Sequence, residues 1–75
     1  EPPAPISRRQ VYFKESGARI ETPVYARTDL PLGFSSVGPV IIEEYSATTV
    51  VAPGDEFWIG KLGEIGIRCD LEGRH

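Results

Sequence analysis

One cysteine, one tryptophan, one histidine and no methionine stand in 75 residues, and each scarcity removes a class of chemistry. The single thiol, Cys69, leaves no intrachain disulfide, whereas a secreted domain of this size ordinarily depends on several; a reducing, cytoplasmic setting is expected. A structural zinc site takes about four ligands, with Cys or His in paired spacings. One of each predicts no metal site, and Cys69 reads as a small apolar residue on the inward face of the last strand. Ser46, Thr48 and Thr49 offer hydroxyls, but a hydroxyl nucleophile needs an oriented base beside it, and the sole imidazole is the C-terminal His75. Long apolar runs are missing as well: none approaches the roughly 20 residues of a membrane-spanning helix. No basic stretch followed by an apolar one marks a signal peptide. Positive charge is thin. Eight Lys and Arg face eleven Asp and Glu, for a net charge of −3, and only Arg8-Arg9 are adjacent, so the clustered basic surface that nucleic acid requires is not predicted.

What is present is the composition of a folded chain, 40% hydrophobic and 25% charged, with β-branched residues dense enough in the middle to exclude disorder there. The length makes one domain, near the size at which a single core barely outweighs chain entropy. The missing initiator methionine and the opening EPPAP point to a piece of a longer protein. Residues 1–7 read as a Pro-rich linker or lead-in of polyproline character, residues 8–69 as a β domain, and residues 70–75 as a frayed or vector-derived tail.

Within the β domain, short apolar runs alternate with turn signals. Arg9 to Phe13 reads as a first strand, ended by a turn at Gly17, which supplies positive φ. Arg19 to Arg27 alternates, with Ile20, Thr22, Val24 and Ala26 on one face; Pro23 lacks a ladder donor and predicts an edge strand or a bulge. Thr28 to Val37 reads as a loop in which Leu30 or Leu32 plugs the core. Val40 to Glu43 and Thr48 to Val51 are β-branched and favour strand, with Val40, Ile42, Val50 and Phe57 as core. The four residues between these runs, Glu44 to Ala47, predict a connection wider than a two-residue turn. Pro53-Gly54 fits the centre of a type II turn. Asp55 to Ile59 returns with Phe57 and Ile59 opposite Glu56 and Trp58, and Ile65 to Cys69 closes the sheet. The expected fold is all-β, a small single-domain barrel or two-layer sandwich of about six short, mostly antiparallel strands.

Candidate functional residues are few. Glu43 and Glu44 could divide acid and base roles only if they shared a site, and neighbours on a strand point to opposite faces. The plainer reading is a solvated strand end that discourages edge pairing; in a larger parent, Glu43, Glu44 and Tyr45 are candidates for a domain or subunit contact. Trp58, if it lies outward with Tyr25, would add an apolar patch suited to a protein partner. Lys61, in Gly60-Lys61-Leu62-Gly63, invites comparison with small carrier domains that present a lysine on a hairpin tip, but lacks their flanking acidic or methionine partners.

The order of several segments resembles the C-terminal end of the hydantoinase A/oxoprolinase family. They are Glu21-Thr22-Pro23-Val24-Tyr25 with Arg27, then Leu30 and Gly33, then Gly38-Pro39-Val40-Ile41-Ile42-Glu43-Glu44, then Thr48-Thr49-Val50-Val51-Ala52-Pro53-Gly54. Val40 and Ala52 stand where that family usually has Ala and Pro, and Lys61 to Ile65 replaces its closing Tyr-Gly-Asn-Leu turn. The resemblance implies a parent subunit that couples ATP hydrolysis, with Mg, to opening a cyclic amide or carboxylating a ketone. It implies nucleotide motifs in upstream domains, since no phosphate-cradling glycine loop occurs here, and no cofactor in this segment. The implied partners are the remainder of the parent subunit and a second, hydantoinase B-type subunit. As alternatives, Glu43 or Glu44 reaches a substrate or metal in the assembled enzyme, or Lys61 carries a prosthetic group.

Overall fold

The structure, a computed structural model, describes residues 3–14 and 16–69; the expected tail at 70–75 lies outside the described residues. Where the sequence is β-branched the chain is extended. Among the described residues the strands are β1 (Ser7–Phe13), β2 (Ala18–Ala26), β3 (Ser35–Val37), β4 (Val40–Glu44), β5 (Ala47–Val51), β6 (Glu56–Ile59) and β7 (Ile65–Arg68), with a 3₁₀ turn at Arg27–Asp29. They form two sheets, one in the order β1-β2-β4-β5 and one in the order β3-β6-β7. All pairings are antiparallel except β2 with β4, which run parallel with Val24 beside Ile41.

The sheets face each other across a core of Leu30, Val40, Ile42, Val51, Phe57 and Ile59, with Tyr25, Phe34 and Ile65 packed at its margin. Phe34 and Phe57 meet with ring centroids 6.1 Å apart and tilted 52°, a favoured aromatic geometry. The other face of the larger sheet buries Thr22, Val24 and Ile41, with Phe13 at the end of β1. Thr22 is fully buried, and its hydroxyl is satisfied by donating to the Ile20 carbonyl at 2.9 Å, as a buried polar group requires. The chain is thus the expected all-β, two-layer protein.

Five local expectations are corrected. The loop at 28–37 contains a strand, β3, giving seven rather than six among the described residues; Leu30 in that segment is the plug, at 2% exposure, while Leu32 is exposed. The β4–β5 connection is a two-residue turn, because Glu44 pairs with Ala47 and leaves only Tyr45 and Ser46 between them. In β5 the inward residue is Val51, not Val50, which is 50% exposed. Cys69 is exposed rather than inward, since β7 ends one residue before it. Finally, β2 is interior in the sheet despite Pro23, without a bulge. Its pairing with β4 begins only at Val24, so the ladder on that side starts just past the residue that cannot donate.

Two turns came out as expected. Gly17 and Gly54 have positive φ, at 65° and 86°. The Asp55 N–H donates to the Ala52 carbonyl at 3.1 Å across Pro53-Gly54, the closing bond of the turn.

Candidate functional site

Glu43 and Glu44 end β4, where the pleat sends them to opposite faces. Glu43 is half-buried and ion-paired with Arg9 of β1. Because Arg9 is in register with Thr22, and Glu43 lies beside Ala26, this pair spans β2 on the face that buries Thr22 and Val24. Glu44 is exposed beside the turn, and Tyr45 at the tip is wholly exposed, at 105%. The two carboxylates therefore do not share a site: one is neutralised within the sheet, the other faces solvent.

Trp58 lies on the outer face of the smaller sheet, opposite Gly66 on β7 and Ser35 on β3. A methyl group added at Gly66 would fall within the indole ring, so the ring lies flat on the glycine and covers the gap left by its missing side chain. This leaves Trp58 at 37% exposure beside a shallow cavity of about 290 Å³ whose lining includes Ser35, Val37, Glu56 and Arg68. Glu56 and Arg68 are a cross-strand pair, 3.4 Å apart and well solvated, a geometry that contributes at most about 1 kcal/mol. Tyr25 does not join Trp58 in an outward patch; it packs against the core.

Lys61 is exposed on the β6–β7 turn. That turn is tightly tied: Gly60 and Glu64 are bonded through their backbones at 2.8 Å, and the Leu62 N–H donates to Glu64 Oε1 at 3.2 Å. Gly63 takes φ of 87°. Arg27, which the sequence offered only as one letter of a motif, holds this turn from below. It donates through Nε and Nη2 to the Gly63 carbonyl at 3.3 and 2.7 Å, and through Nη1 to the Leu30 carbonyl at 3.2 Å. A planar guanidinium can serve both acceptors at once where a lysine could not.

Gly38 is the other residue whose role sequence reasoning missed. A Cβ there would overlap the carbonyl oxygens of Val51 and Ala52, so the chain entering β4 passes directly against the chain leaving β5. The Gly38 N–H donates to the Asp55 carbonyl at 2.8 Å. The signal was legible as a Gly-Pro preceding an apolar strand, but not its reason, which is a contact with Val51 and Ala52, 13 and 14 positions further along the chain. Among the described residues, no three His, Cys, Asp or Glu side chains are grouped as metal ligands would be. No helix among them is long and apolar enough to cross a membrane.

No family model matches the chain. Uncharacterized protein MJ0964 of Methanocaldococcus jannaschii is 39% identical over 61 residues, which is 81% of this chain. The chain is thus similar over most of its length to a far longer archaeal protein, of which the match spans 9%.

Proposed function

We propose that the chain is the accessory C-terminal β domain of an ATP-dependent, cyclic-amide-hydrolysing subunit of the hydantoinase/oxoprolinase type, and that it serves packing between domains or subunits. The observation that carries this reading is where the resembling residues fall. Gly38-Pro39 and Ala52-Pro53-Gly54 meet at the base of the β4–β5 hairpin, Val24 to Ala26 run beside Ile41 to Glu43, and Arg27 ties the β6–β7 turn to the body. These residues form one structural frame and not a reacting constellation, which supports an accessory role. The match to a small fraction of a much longer protein supports membership in a larger chain. In that parent, ATP and Mg would be held by upstream domains and this segment would supply surface.

The test is a full-length parent with and without this domain, scored for subunit assembly by size exclusion and for ATP-dependent hydrolysis of hydantoin and 5-oxoproline. Assembly and turnover should fall together on deletion. A truncated parent that assembles and turns over normally overturns the reading. As a companion measurement, the isolated chain titrated with Mg·ATP, hydantoin and 5-oxoproline should give no localised NMR shifts; shifts confined to Glu43–Thr49 would instead assign the hairpin to a substrate site.

A further inference from the structure

Among the described residues, four strands lie at sheet edges: β1 and β5 in the larger sheet, β3 and β7 in the smaller. An open edge is a template for pairing with another chain, and proteins ordinarily blunt it with charge, proline or brevity. β1 carries Arg8 and Arg9, β7 ends in Arg68, and β3 has only three residues. β5 has none of these defences. Its five residues, Ala47-Thr48-Thr49-Val50-Val51, include no charge and no proline, and Val50 is half exposed.

The tight turn fixes which backbone groups of β5 are free. Pairing of Glu44 with Ala47 across a two-residue turn is possible only as a hydrogen-bonded pair. Because the ladder alternates, Ala47, Thr49 and Val51 direct their N–H and C=O groups to β4, while Thr48 and Val50 direct theirs away from the sheet. Among the described residues no strand pairs with that side.

We infer that β5 pairs antiparallel with β5 of a second copy of this chain, about a two-fold axis at Thr49. In that register Thr48 of each copy stands opposite Val50 of the other, and the outward groups of both residues form four backbone hydrogen bonds. The exposed Val50 side chain packs on the Thr48 methyl of the second copy, and no like charges meet along the strand. Each contact occurs twice, as an isologous interface requires. The inference stands apart from the proposed parent enzyme, since it rests on the edge strand alone.

A single strand pair makes a small interface, so association is expected in the range of roughly hundreds of micromolar. Sedimentation velocity over that range should show a monomer–dimer equilibrium. Val50→Lys should abolish it; Val50 is half exposed, so circular dichroism should be unchanged. Residues facing each other in a non-hydrogen-bonded pair have Cα atoms about 4.5 Å apart, within disulfide reach. Thr49→Cys in a Cys69→Ser background should therefore cross-link to a covalent dimer under mild oxidation, while Val37→Cys on the β3 edge in the same background should not. A chain that stays monomeric to roughly 1 mM, a dimer indifferent to Val50→Lys, or a Thr49→Cys variant that fails to cross-link overturns the inference.

Discussion

The β4–β5 turn holds Tyr45 and Ser46 without a glycine, and its tip is bare, whereas the β6–β7 turn is fastened by Glu64, by the positive φ of Gly63 and by Arg27 reaching across from the 3₁₀ turn. Both carry residues that the sequence marks as candidates, Tyr45 on one and Lys61 on the other. The difference lies in where each hairpin is held. The first is anchored at its base, where Gly38 passes the Val51–Ala52 backbone, which leaves its tip free to meet another surface. The second is anchored at its tip, which positions the turn against its own domain. A docking role thus suits the acidic hairpin better than the lysine hairpin.

The sharpest way to break this contrast is a methyl group at each glycine. Gly38→Ala places Cβ against backbone carbonyls that cannot move without displacing β5, and should cost about 3 kcal/mol or more. For a domain this size that lowers Tm by more than about 10 °C. Gly60→Ala meets only the carboxyl end of Glu64, which can swing away, so the cost should stay near the 1 kcal/mol typical of point variants; chemical denaturation of both variants compares them directly. Equal effects would remove the distinction between base and tip anchoring. Next in size, Arg27→Lys keeps the charge but loses the forked bonds to Gly63 and Leu30. It should destabilise by about 1.5–2 kcal/mol, with amide exchange rising first in Gly60–Glu64. Smallest is the Arg9–Glu43 pair, whose side chains are 53% and 33% exposed. A double-mutant cycle with Arg9→Gln and Glu43→Gln should give a coupling below about 1 kcal/mol that shrinks in high salt. A coupling of several kcal/mol that ignores salt would mean that Glu43 is held as a buried charge.

The residues that announce their own conformation were legible: the β-branched runs as strands, Pro53-Gly54 as a type II turn, Gly17 as a positive-φ corner. Positions decided by a distant partner were not. Ser35-Ser36-Val37 has no periodic pattern of its own and is a strand only because β6 pairs with it. In Thr48 to Val51 four β-branched residues in a row carry no phase, so the choice between Val50 and Val51 as core awaited the register against Val40. Tyr45-Ser46 lacks the glycine or asparagine that usually marks a two-residue hairpin turn. The acidic pair was correctly separated onto two faces by strand geometry alone. The attachment of Glu43 to Arg9, 34 positions away, and of Arg27 to Gly63, 36 positions away, required the fold.

The offset of β2 also has a kinetic side. Along its length only Val24 is in register with a residue on both neighbours, Ser7 of β1 and Ile41 of β4. The first hairpin forms from contacts close in sequence, while the parallel ladder to β4 must close a loop through the 3₁₀ turn and β3. Loop closure of that kind slows folding. The β1–β2 hairpin is thus the local part of the fold and the ladder to β4 its non-local part, and the two are joined at Val24, which is fully buried.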